Sequence, residues 1–125
     1  MEVTVYGAGA IGGTTGAALA RAGHDVLLVD SAAPHVEAIN AHGITIERRD
    51  GVTTTRVPAV TPDGLGRDLA LVLLAVKSHH TADVLRDLAP RLAPDGTIVS
   101  LQNGLSEEQI AAVVGAARTV GCLVN

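Results

Sequence analysis

Apolar residues in this chain gather into short, nearly continuous runs, and the stretches between them carry apolar positions at helical spacing. Residues 2 to 6, EVTVY, predict a short strand. From Ala10 to Ala22, Ile11, Ala18, Leu19 and Ala22 recur with a helical period, and Gly23 stops the pattern. HDVLLVD, His24 to Asp30, reads as a strand covered on both faces. A second helix is expected to start near Pro34, where a missing donor is tolerated, and to end before Gly43. GITIERRDGVTTTRVPAV predicts a hairpin turning at Asp50-Gly51, and Pro62, Gly64 and Gly66 mark a loop.

The second half repeats the alternation. LALVLLAVK, residues 69 to 77, predicts a central strand. The next helix is capped by Ser78 or Thr81, runs toward Leu92, and is broken by Pro94 and Gly96. TIVSLQN is another strand, Gly104 a turn, SEEQIAAVV a helix with Glu107 and Glu108 in its first turn, and RTVGCLVN the start of one more strand. Helices feeding strands throughout predict an α/β, doubly wound, mainly parallel sheet of Rossmann type with helices on both faces. No linker, repeat or low-complexity tract divides the 125 residues, so a single domain is expected.

Composition narrows the reading. With no Phe, no Trp and one Tyr, the core must be built from Val, Leu, Ile and Ala. Nine Lys and Arg against 13 Asp and Glu give a formal charge of -4. A nucleic-acid partner is not expected, because it would call for a basic face and aromatic platforms. No apolar run reaches the roughly 20 residues of a membrane span, and no basic region precedes an apolar one at the start. The lone Cys122 has no internal disulfide partner and reads as a buried strand residue. These features fit a cytoplasmic protein.

The candidate chemistry starts at GAGAIG. Gly7, Gly9 and Gly12 match the fingerprint in which the first glycine permits a tight turn, the second lets backbone approach a pyrophosphate, and the third packs helix on strand. The amides of the helix start, at Ala10 and Ile11, face the ligand's charge. Asp30 follows Gly7 by 23 positions and closes the second strand, where a carboxylate accepts from ribose hydroxyls and repels a phosphate. NAD is therefore favoured over NADP, with Ser31 beside the ribose. Two competing readings are a glycine turn that serves packing alone and a site for FAD or a nucleotide-activated ligand. Gly13 and Gly16 cost helix stability, which close approach by a cofactor or a neighbouring strand would offset.

Strand ends hold ligands in doubly wound folds. Val76 and Lys77 end one strand, Asn103 and Gly104 another; Lys77 can donate to a ribose or a substrate oxygen, and Asn103 can donate and accept near the nicotinamide or the substrate. His79 and His80 lack ligand-spaced partners for a metal, and one of them is expected to line the pocket. His24, His35 and His42 read as structural. No GxSxG nucleophile elbow occurs.

With VYGAGAIGG, AVKSHHTADVL and LQNGL in this order, the chain resembles the ketopantoate reductases (2-dehydropantoate 2-reductases) over essentially its whole length. The resemblance implies NADP-linked reduction of 2-dehydropantoate to pantoate for coenzyme A synthesis, with the family's strand-end lysine at Lys77 and its asparagine at Asn103. It also implies a helical C-terminal domain, absent from these residues, that supplies a general-acid lysine, a substrate-binding carboxylate and most contacts of a homodimer. The 125 residues are thus expected to be an NAD(P)-binding domain truncated at its C-terminal end and inactive alone. Where the family carries a basic residue after the second strand, this chain reads Val29-Asp30-Ser31. The rival expectation is a non-catalytic nucleotide-binding or regulatory module that needs a partner.

Overall fold

A computed structural model describes residues 2–76, 80–101, 106–115 and 119–121. The elements alternate as β1 (Glu2–Tyr6), α1 (Ala10–Arg21), β2 (Asp25–Val29), α2 (Ala33–His42), β3 (Ile44–Arg48), β4 (Gly51–Thr55), β5 (Ala59–Val60), β6 (Leu69–Leu74), α3 (Thr81–Leu88), β7 (Leu92–Ser100), α4 (Ser106–Val114) and β8 (Thr119–Gly121). Six strands form one sheet in the order β5-β2-β1-β6-β7-β8, and every pairing in it is parallel. Numbered along the chain, those six strands run 3-2-1-4-5-6, the order of a doubly wound dinucleotide-binding sheet. The α/β Rossmann-like class is therefore as the alternation predicts.

Burial follows from the runs. Val3, Val5, Val26 and Leu28 pack on one face with Val36 and Ile39 of α2. Val72, Leu74 and Ile98 pack on the other with Leu85 and Leu88 of α3 and Ile110 of α4. A central strand covered on both faces needs apolar residues at successive positions, which is why β2 and β6 read as nearly unbroken runs. Gly16 is a packing position: a Cβ there would come within 2.6 Å of the Leu28 side chain, so the helix sits directly on β2.

Four local expectations are corrected. The hairpin pairs Arg48 with Gly51, so its two turn residues are Arg49 and Asp50. Gly51, at φ +142°, supplies the positive angle after them. Ala59–Val60 leaves that hairpin and joins the main sheet beside β2, held by the Asn40 side chain, which donates to the Ala59 carbonyl and accepts from its amide at 2.9 Å each. Helix α3 ends at Leu88 rather than near Leu92 and tightens into a 3-10 turn over Ala89–Arg91, because Pro90 cannot donate the next helical hydrogen bond. Pro94 and Gly96 then lie within β7, at a register shift where a missing ladder donor is tolerated.

Candidate functional site

The turn between β1 and α1 stands at the carboxyl end of the sheet, sewn to the strands on either side. Gly7 donates to the Val29 carbonyl at 2.7 Å, and Ala75 donates to the Tyr6 carbonyl at 2.8 Å. Gly7 holds φ +106°, and a Cβ on it would lie 2.8 Å from the Ala75 carbonyl carbon and oxygen. A Cβ on Gly12 would run into the Gly7 carbonyl oxygen and approach the Ala75 Cβ to 3.2 Å. Both positions therefore require glycine for packing. Gly9 differs, since nothing lies within 4 Å of a Cβ placed there. It caps α1 without a side-chain acceptor, its carbonyl taking the Gly13 amide at 2.7 Å. An N-terminus so capped leaves first-turn amides to other acceptors. Ala10 and Ile11 begin that turn, with Ile11 exposed above it.

Asp30, immediately after β2, is bound to this turn. One carboxylate oxygen accepts the Ala8 amide at 3.0 Å and the other the Ala32 amide at 2.9 Å. An ionised carboxylate offers about four lone-pair sites, so each oxygen keeps capacity for a further donor. Asp30 and the exposed Ser31 line a cleft of 280 Å³ together with Tyr6, Gly7, Val76 and His80. That volume is near the lower end for ligand sites, about 300–1,000 Å³, and suits half of a dinucleotide better than the whole. Lys77, Asn103 and Gly104 lie outside the described residues, as do Ser78, His79 and Cys122.

Two residues near the site carried no distinctive sequence signal. Tyr6 sits at the end of β1, and its hydroxyl donates to Asp87 of α3 at 3.1 Å. Asp87 also pairs with Arg91 at 3.2 Å, and Arg91 donates to the Leu65 carbonyl. Burial foremost, then the hydrogen bond to Asp87 and its charge, push the Tyr6 phenol well above the ordinary tyrosine range. His35, in the first turn of α2, donates from Nε2 to the Ala8 carbonyl at 2.8 Å. It borders a second cleft, of 420 Å³, with Gly9, Ala10, Thr14, His42 and Ile44. A histidine opening the helix across this cleft from α1 can face the glycine turn, but only the placement of α2 reveals which way it points.

The sequence model of the family described as ketopantoate reductase PanE/ApbA matches residues 3–125. The 2-dehydropantoate 2-reductase of Pyrococcus horikoshii is 35% identical over 130 residues, an alignment covering 100% of this chain and 40% of that protein. Among solved structures, the 2-dehydropantoate 2-reductase of Geobacter metallireducens superposes with TM-score 0.86 at 31% identity, over 97% of this chain and 40% of that one. A D-mandelate dehydrogenase bound to NADH and anilino(oxo)acetate gives TM-score 0.85 at 27% identity, over 95% and 39% of the two chains. The chain therefore spans well under half the length of these relatives.

Proposed function

The chain belongs to the ketopantoate reductase PanE/ApbA family, and from that premise we propose that it is the nicotinamide-dinucleotide-binding domain of a reductase acting on a small 2-oxo acid, 2-dehydropantoate first among them. The observation that carries the reading is the unequal environment of the three glycines. Gly7 and Gly12 are closed in by backbone, while Gly9 presents an open face at the start of α1. A pyrophosphate needs that open approach and those first-turn amides, so the residues present fit the cofactor. The bound nicotinamide supplies the hydride. Relatives named as reductases favour this reading over a non-catalytic module.

Within the domain, Gly9, Ala10 and Ile11 hold the phosphates through backbone N–H groups. Asp30, with Ser31 beside it, accepts from the adenosine ribose in the cleft bordered by Val76. A carboxylate at that point repels a 2'-phosphate, so NAD is the favoured cofactor, and the NADH bound to the structurally similar D-mandelate dehydrogenase supports this assignment. Lys77 and Asn103 donate to the substrate carbonyl and fix it against the nicotinamide, a task that needs reacting atoms within about 3.5 Å. The complete reaction, and the homodimer and cytoplasmic setting that accompany it, are proposed for an enzyme in which a helical partner domain closes the substrate side.

Titration with NADH, followed through backbone amide resonances, tests the binding site. Shifts at Gly9, Ala10, Ile11, Asp30 and Ser31 are expected. Shifts confined to the sheet's amino end, around Glu2, Asp25 and Arg67, would contradict the placement.

A further inference from the structure

Ala8 is gripped at both ends of the residue. Its amide donates to Asp30 at 3.0 Å, and its carbonyl accepts from His35 Nε2 at 2.8 Å. The first contact ties the glycine turn to the end of β2, the second to α2. No described peptide bond is cis. In the planar trans Ala8–Gly9 peptide, the carbonyl and the following N–H point in opposite directions. A carbonyl drawn toward α2 by His35 therefore turns the Gly9 N–H away from α2. Of the three motif glycines only Gly9 has no atom near its Cβ direction, so side-chain crowding does not fix that peptide and the contact from His35 bears on its orientation. Glycine's wide backbone freedom makes such a restraint consequential.

We propose that His35 is a positioning residue for the cofactor's phosphates: by holding the Ala8 carbonyl, it fixes the plane of the Ala8–Gly9 peptide and presents the Gly9 amide to the pyrophosphate. This rests on the reading of the glycine turn as a dinucleotide site. His35 acts through the backbone, and its side chain is committed to Ala8. The contact orients the amide before ligand arrives, so binding does not have to include the ordering of a glycine peptide. Asp30 holds the same residue from the other side, and the two contacts make the turn a fixture of both β2 and α2.

The test is a titration of the wild-type chain, His35→Ala and His35→Gln with ADP and, separately, with adenosine, followed by nuclear magnetic resonance. One neutral hydrogen bond is worth up to about tenfold in affinity. His35→Ala is expected to bind ADP about five- to tenfold more weakly while its affinity for adenosine stays at the wild-type value. His35→Gln, whose amide can donate to the same carbonyl, is expected to recover most of the loss. Because His35 is largely exposed, neither variant should disturb the core. Unchanged ADP affinity in His35→Ala overturns the inference and leaves the dinucleotide reading standing, as does an equal loss for ADP and adenosine, which would mark a general structural role. A wild-type chain that binds neither ADP nor NADH overturns the reading itself and the inference with it.

Discussion

A methyl group added at Gly9 and one added at Gly12 should have opposite consequences, although the two glycines are three positions apart in one motif. Gly9 has φ -79° and ψ -157°, angles open to alanine, and nothing within 4 Å of the added carbon. Alanine is a poorer cap than glycine by several tenths of a kcal/mol, while the stiffer unfolded chain returns about 0.4–1 kcal/mol. Gly9→Ala should therefore sit within about 0.5 kcal/mol of wild type in stability. At Gly12 the methyl would collide with the Gly7 carbonyl oxygen and lie 2.9 Å from its carbon, and the opposing atoms are backbone that cannot swing aside. Overpacking of this kind costs about 1–3 kcal/mol, partly offset by about 1 kcal/mol of helix propensity. Because the opposing atoms are backbone, the cost falls at the upper end of that range, and the remaining ~2 kcal/mol should lower the melting temperature by roughly 6–12 °C. Thermal denaturation of both variants, with calorimetric titration of NADH, gives the comparison. Gly9→Ala is expected to melt like wild type and bind NADH at least about tenfold more weakly, a loss of ~1.4 kcal/mol. A Gly9→Ala chain that binds normally, or a Gly12→Ala chain as stable as wild type, would refute the division of roles.

Other consequences can be measured independently. Asp30→Ala leaves the Ala8 and Ala32 amides without their carboxylate and should cost roughly 1–2 kcal/mol in urea unfolding, with Asp30→Asn intermediate; no loss would show that the carboxylate does not hold the turn. Since the folded phenol of Tyr6 is pushed upward, the unfolded chain releases its proton first, so stability should be intact below pH about 10 and decline as pH rises beyond it. The single tyrosine and absent tryptophan make this readable by ultraviolet absorbance, and ionisation at the ordinary value in the folded chain would contradict the burial. In an active reductase carrying this domain, Lys77→Ala and Asn103→Ala should each lower kcat on 2-dehydropantoate by about 10²-fold or more with a much smaller change in NADH affinity. A change in affinity alone would remove both from the chemistry.

The buried central strands were legible because a sheet covered on both faces must draw on unbroken apolar runs, and DVLLV and LALVLL have no other economical reading. The glycine motif was legible for a similar reason: Gly7 and Gly12 face steric limits that only one residue type meets. What escaped the sequence depended on tertiary neighbours. Ala59–Val60 has only two paired residues and looks like the tail of a hairpin until Asn40 of α2 is seen fastening it to the sheet. Pro94 and Gly96 signal an interruption, but whether it falls in a helix or at a bulge was decided by Pro90 ending α3 first. Asp30 stood out, from its spacing after Gly7, as a candidate ribose acceptor. Its hold on Ala8 and Ala32 could not be inferred that way, because it depends on how closely the turn folds back over β2.

The central claim is that this domain binds a nicotinamide dinucleotide across the glycine turn with NAD preferred. Calorimetric titration of the chain with NADH and NADPH side by side tests it most directly. Tighter binding of NADH, by tenfold or more and narrowing when Asp30 is replaced by Asn, is the predicted result, tenfold being ~1.4 kcal/mol of discrimination. Tighter binding of NADPH would contradict the role given to Asp30, and binding of neither would contradict the assignment of the site.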